Sequence, residues 1–313
     1  MRGSVRKRGE TWTWYLWVPD ALSGKPRQRS KGGFRTKKEC QEALNDALAD
    51  LRKGTFVEPS RRTIASFLTE EWLPAVAAQG RRPGTVANYR IHVTAHIIPA
   101  LGGIMLQQLS PAHLNSFYRT LLNEGRRNGR PMAQKTVRNV HNILHRALQD
   151  ALRWGLVARN VASAANPPAG KSPERAVWTP TELRTFIEHV RNDRLYAVWM
   201  LFTTTGMRRS EVAGLRTIDV DLAAARVSPR MPRVLVDHQV VVSEPKSRAG
   251  RRSLALDPAT VAALRVHLVI QEAEREVIGA RYMDSGLLFT LARWSAHRPC
   301  ALLTMVPAAC GGG

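Results

Sequence analysis

Along residues 11–18 apolar and polar side chains alternate with the period of a strand. Trp12, Trp14 and Leu16 fall on one face, and Thr11, Thr13, Tyr15 and Trp17 on the other. Pro19-Asp20 and Ser23-Gly24-Lys25-Pro26 are turn material, and Arg27 to Lys31 read as a second, basic strand. The period then changes. Thr36 is placed to cap a helix with Glu39 at the reciprocal position. Ala43, Leu44, Ala47, Leu48 and Leu51 recur at three and four residues until Gly54 stops the run. Residues 1–58 therefore predict a small sheet covered by one helix. A three-stranded sheet of this size finds its core only against that helix, which leaves its other face open.

Residues 63–165 read as helical throughout. One segment runs from Thr63 through Phe67, Leu68 and Trp72, and another from about Pro83 to His96. A third opens at Ser110-Pro111, a cap followed by proline at the first helical position. The fourth spans about Ala133 to Trp154 and ends at Gly155. Four or five such helices with short Gly/Pro joints make an independent bundle. Ala162 to Pro173 is the clearest linker, so a boundary is expected over 166–178. Thr179-Pro-Thr-Glu182 then starts a new domain on a capped helix. Helices to about Arg216, a β-rich stretch from Ile218 to Asp257 and a long helix from Pro258 to about Gly279 give that domain an α+β character.

Charge narrows the partner. The chain has 313 residues, with 47 Lys plus Arg against 25 Asp plus Glu and a net charge of +22. The excess is spread: residues 1–62 carry 15 basic and 7 acidic side chains, 63–170 carry 12 and 4, and 171–313 carry 20 and 14. Basic patches repeated on folded modules suit a protein that follows a phosphate backbone. A hydrophobic content of 44% supports folded cores. No apolar run approaches membrane-spanning length, and the Met1–Gly9 stretch has no apolar segment behind its charges, so neither a membrane partner nor a secretory signal is expected. Three cysteines fit a reducing cytoplasm, with nucleoid association through DNA.

The chemistry concentrates in two segments. In Thr203 to Arg216 an apolar helix ends at Gly206 and a second begins at once. Arg208 is thereby expected in a first helical turn, beside N–H groups that favour an anion, and Glu211 can hold its guanidinium. In Val240 to Leu256 the pattern predicts a hairpin with Lys246 at its tip and Arg248, Arg251 and Arg252 around it. A fixed arginine and a lysine on a β-turn are parts for phosphoryl transfer without a metal. No cofactor is expected.

These segments resemble the tyrosine recombinases, specifically phage-type integrases of actinobacterial character. The resemblance runs from residue 1 to about 290. Residues 1–58 are similar to the arm-type DNA-binding domain, whose basic residues here are Arg6, Lys7, Arg8, Arg27 and Arg29. Residues 63–165, with His96-Ile-Ile-Pro-Ala-Leu-Gly102 and Leu109-Ser-Pro-Ala-His113, resemble the SAM-like core-binding domain. Residues 179–290 resemble part of the α+β catalytic domain: Thr205 to Arg216 match the first arginine box and Pro245 to Arg252 the β-hairpin lysine.

The resemblance implies site-specific DNA breakage and rejoining by a tyrosine nucleophile, without metal or ATP. It also implies double-stranded attachment sites, a homo-oligomer on DNA and a directionality factor as partners. By position Arg208 becomes the first phosphate-clamping arginine, Glu211 its supporting acid and Lys246 the general acid. Arg209, Arg216, Arg248, Arg251 and Arg252 are left to contact the DNA backbone or brace the fold.

The sequence also departs from the family pattern. No histidine is followed three residues later by arginine, as the second box requires, and the five tyrosines are Tyr15, Tyr89, Tyr118, Tyr196 and Tyr282. Tyr282 precedes Asp284 to Phe289, which resembles the stretch ahead of that box, so it is a poor nucleophile. Residues 291–313 carry no acidic residue, two of the three cysteines and a terminal triglycine. They read as a tail outside the family, from a frameshifted or truncated frame. The alternative is an integrase remnant that binds DNA without catalysis. A nuclease lacks clustered acidic ligands, and an RNA-binding module lacks its glycine-aromatic motif. His92 with His96, and His141 with His145, have metal-ligand spacing but no acidic or thiol neighbour, and read as histidines facing solvent or DNA.

Overall fold

The structure, a computed structural model, describes residues 3–19, 26–53, 56–125, 129–170, 174, 176–237, 239–242, 252–282 and 284–290. The expected tail, Lys246, Arg248 and Arg251 lie outside the described residues. The chain divides into two compact units, residues 1–81 with 88–172 and residues 82–87 with 173–313.

The first unit opens with an antiparallel sheet in the order β1 (Gly3–Arg8), β2 (Thr11–Pro19), β3 (Pro26–Phe34), followed by helix α1 (Lys37–Lys53). Strand β1 has no counterpart in the apolar pattern, because Val5 is its one apolar side chain: Gly3 and Lys7 share its face and the other residues are polar. Its six residues pair in unbroken register with β2, from Gly3 opposite Leu16 to Arg8 opposite Thr11. Trp14, Leu16, Cys40, Leu44 and Ala47 form the buried core, with Val5, Trp12, Val18 and Phe34 packed around it. The expected cap is present: the Glu39 N–H donates to Thr36 Oγ1 at 3.2 Å, and the Thr36 N–H to Glu39 Oε2 at 3.4 Å.

The helical part contains α2 (Ile64–Ser66), which runs through a π-helical stretch at Phe67–Trp72 into α3 (Leu73–Ala78). Helix α4 (Pro83–His92) likewise continues through Val93–Ile97 into α5 (Ile98–Leu101). Helix α6 (Pro111–Glu124) starts on the Ser110 cap, closed reciprocally by His113, and α7 (Gln134–Arg153) ends ahead of Gly155. Polar groups inside this bundle are paired. Trp72 Nε1 donates to Asp150 Oδ2 at 2.8 Å, and the Tyr118 hydroxyl lies 2.8 Å from His141 Nδ1. His141 is therefore a core residue, contrary to the surface position expected of it. Burial, then the nearby His145 and Arg138, push its pKa down to about 4. His145 instead meets Ser163 Oγ at 3.1 Å. Sequence spacing places both on one helix, but 141 follows Val137 and Val140 onto the buried arc, with Leu144 next in line.

In the second unit α8 (Pro180–His189) begins on the Thr179–Glu182 box, and α9 (Tyr196–Thr205) and α10 (Arg209–Ala213) follow. A three-stranded sheet has the order β4 (Val220–Asp221), β5 (Arg226–Val227), β8 (Leu254–Ala255). A separate two-stranded ribbon pairs β6 (Arg233–Val236) with β7 (Gln239–Val242). Helix α11 (Pro258–Ile278), capped by Asp257, packs on α9, and Ala263 and Leu264 join Val198, Leu201, Val212 and Leu215 in the core. The described flanks of the hairpin expected over 240–256 do not pair with each other, and its tip lies outside the described residues. The flanking strands belong to different sheets, since β7 pairs back onto β6 and β8 onto β5. The nearer partner wins: a two-residue turn with Asp237 at φ 48° closes β6 on β7 at less entropic cost than a longer loop.

Candidate functional site

Helix α9 ends because Gly206 adopts φ 62°, ψ 22°, a left-handed conformation that reverses the chain. Arg208 follows with extended backbone as the N-cap of α10, one step before the first turn in which it was expected. Its own N–H donates to Glu211 Oε2 at 2.9 Å and its Nη1 to Glu211 Oε1 at 2.9 Å. The side chain is nevertheless 72% exposed, whereas that of Glu211 is 5% exposed. The carboxylate thus anchors the guanidinium from beneath and leaves its outer N–H groups to solvent.

A second arginine reaches the same carboxylate from 41 residues away. Arg252 donates from Nη1 to Oε1 at 3.2 Å and from Nη2 to Oε2 at 3.0 Å. Burial alone would raise the pKa of Glu211. The hydrogen bonds from Arg252 and then from Arg208 outweigh it and hold the group below the ordinary carboxylate range. Two guanidiniums around one carboxylate leave a net positive charge of one at the surface, which an incoming anion can meet.

Arg216 is committed elsewhere. Its Nε and Nη2 donate to Asp219 at 3.2 and 3.1 Å, and Asp219 is fully buried with Arg230 3.6 Å away. Arg216 therefore braces the turn into β4. Arg209 is exposed on α10. Next to this turn the end of α10 runs against β6: a Cβ on Gly214 would overlap the Met231 carbonyl. Tyr282 has its hydroxyl 3.2 Å from Thr290 Oγ1 and its ring under Arg275 at 5.2 Å.

On the N-terminal sheet the register sorts the basic residues. Residues directly opposite one another share a face. Arg6 lies opposite Thr13 and Arg8 opposite Thr11, on the face away from α1. Tyr15 and Trp17 belong to that face, with Arg6 5.6 Å from the centre of the Tyr15 ring. Lys7 is opposite Trp12, Arg29 opposite Leu16 and Arg27 opposite Val18, so these three stand on the helix side. Arg29 is closed further by an ion pair to Glu58 at 2.6 Å. The open face instead gains Ser4, Gln28 and Ser30, which sequence reading missed because only the pairing register reveals them. Among the described residues no three His, Cys, Asp or Glu side chains are grouped to hold a metal ion.

Comparison with known proteins agrees with this architecture. An arm DNA-binding domain model matches residues 4–51, and a phage integrase N-terminal SAM-like domain model matches residues 66–122. An integrase of Streptomyces ambofaciens is 28% identical over 275 residues, spanning 86% of this chain and 68% of the relative. A XerC-like tyrosine recombinase of Caldanaerobacter subterraneus subsp. tengcongensis is 24% identical, spanning 82% and 68%. The fold is similar to that of the Tn1549 transposon integrase solved with a circular intermediate DNA, with a TM-score of 0.58 and 16% identity over 74% of this chain and 72% of that one. It is also similar to a lambda integrase dimer bound to a core site, with a TM-score of 0.51 and 14% identity over 96% and 77%. Two integrase-type domain models thus match one after the other, and relatives described as an integrase and a XerC-like tyrosine recombinase align across both units, so the chain is similar to the tyrosine recombinases over most of its length.

Proposed function

We propose that this chain is a site-specific DNA recombinase of the integrase type, binding double-stranded DNA at the attachment sites of a mobile element. The observation that carries the reading is Arg208: an exposed guanidinium fixed by a buried carboxylate, at the position of the family's first arginine box. In this role Arg208 clamps the scissile phosphate and Glu211 supports it. Lys246 is assigned to protonate the leaving 5′ oxygen. The N-terminal domain binds a separate arm site through Arg6 and Arg8 on the open sheet face, and Lys7, Arg27 and Arg29, on the helix side, add contacts to flanking phosphates. Arg209, Arg248 and Arg251 add backbone contacts, while Arg252 serves through Glu211. The protein works in the cytoplasm on the nucleoid, as a homo-oligomer on DNA and with a directionality factor.

Strand cleavage needs a second arginine box and a tyrosine nucleophile, and no His-x-x-Arg occurs within these 313 residues. A phosphate held by Arg208 and Lys246 without an attacking group does not turn over, since losing the covalent nucleophile removes the pathway. We therefore assign to the 313-residue polypeptide, taken by itself, DNA binding without covalent attachment. The test is incubation with labelled attachment-site DNA, followed by native and denaturing electrophoresis. Expected are a native complex that weakens steeply with salt and no band surviving SDS. Salt-insensitive binding would overturn the DNA-backbone reading. A protease-sensitive SDS-stable adduct would overturn the assignment of binding without attachment and direct attention to Tyr282.

A further inference from the structure

Helix α11 has two apolar faces, and only one is used by the core. Thr260, Ala263, Leu264 and His267 are buried beneath it. At about 100° per residue, Ala262, Val266, Val269, Ile270, Ala273 and Val277 gather on a second arc with no polar side chain inside it. That arc is open: Val266 is 59% exposed, Val269 70%, Ile270 38% and Val277 88%. A single exposed aliphatic side chain is ordinary surface, but these three valines and one isoleucine in register over three turns make a patch that marks an interaction site.

The charges beside the patch indicate what covers it. The helix holds two basic and three acidic residues in a chain with 47 and 25, so a phosphate backbone is poorly served here. Along one edge of the arc stand Arg265, Glu272 and Glu276, all exposed. A second copy of α11 laid antiparallel, centred between Val269 and Ile270, sets Ala262 opposite Val277 and Val266 opposite Ala273. The same register brings each Arg265 between Glu272 and Glu276 of the other copy. In a parallel pair that edge would meet Ala263 and Glu274, and Glu274 is already held by Arg194 at 2.6 Å, so the match is lost.

We propose that α11 is a self-association surface through which two copies of this chain pair antiparallel in the absence of DNA. The surface is distinct from the Arg208 site and does not depend on the DNA-binding reading. The test is sedimentation velocity of the full 313-residue chain, free of DNA, over a range of concentrations. A reversible dimer is expected, and Val269→Glu should leave a monomer with an unchanged melting temperature. Arg265→Glu should weaken the dimer by ~tenfold or more, because like charges then face one another. Combining it with Glu272→Arg and Glu276→Arg should restore the dimer, and this rescue keeps the test valid should Val269→Glu misfold. A monomeric wild-type chain overturns the proposal. So does a dimer that ignores both Val269→Glu and the charge exchange. A wild-type monomer that dimerises only after residues 291–313 are removed overturns it too, and assigns the patch to that segment instead.

Discussion

Replacing Glu211 by glutamine tests the part of the site on which the rest depends. The carboxylate accepts four hydrogen bonds, two from Arg208 and two from Arg252. A glutamine has one acceptor oxygen, and its amide nitrogen would point donors at donors, so at most two of the four survive. Hydrogen bonds to charged groups contribute roughly 1.5–3 kcal/mol each when a partner is lost inside a protein. Arg208 is largely exposed and rehydrates readily; the Arg252 side chain is 28% exposed and recovers less. The net loss for Glu211→Gln is thus about 2 kcal/mol, taken mainly from Arg252. For a unit of this size that lowers Tm by roughly 4–8 °C. Because the native carboxyl titrates below its ordinary range, its stabilisation is present at neutral pH and lost as acid protonates it. The wild-type advantage over Glu211→Gln should therefore shrink as pH falls through that range. Thermal unfolding of both chains from neutral to acid pH measures this, with Arg252→Met completing a double-mutant cycle. Equal Tm values at neutral pH, or no coupling between positions 211 and 252, would refute the account of how Arg208 is held.

Two further outcomes follow from groups inside each unit. His141 stays neutral in the folded chain with a pKa of about 4, against 6.5 when unfolded, so acid favours the unfolded state. Stability should fall between about pH 6.5 and 4 by up to about 3 kcal/mol and then level off. Urea titrations should show that slope flattened in His141→Gln, and an unchanged slope would place the titrating group elsewhere. Gly214→Ala should cost at least about 2 kcal/mol, because the added methyl meets the Met231 backbone rather than a side chain that can move aside. A melting curve matching wild type would show that the α10–β6 approach is looser than described.

What was legible in the sequence was short-ranged. The caps at Thr36 with Glu39, at Ser110 ahead of Pro111 and at Thr179 with Glu182 are local signals, and the helices begin where those residues stand. Glu211 was legible as the holder of Arg208 for the same reason. Arg252 was not, because its bond to Glu211 spans 41 residues and follows from how β8 enters the sheet beside β5. The same limit governs the N-terminal sheet. Alternation in β2 correctly separates Trp14 and Leu16 from Tyr15 and Trp17, but it is silent on which residues of β1 and β3 join each set. Pairing decides that, and between Trp12 and Trp14 the β2–β3 register shifts by a bulge. Past such a shift, alternation counted from Phe34 would assign Arg29 and Arg27 to the wrong face. Basic residues near a sheet therefore become candidate contacts only after the register is known. On that criterion Arg6 and Arg8 stand on the open face beside Tyr15 and Trp17, whereas Arg29, tied to Glu58, serves first to close the edge of the domain.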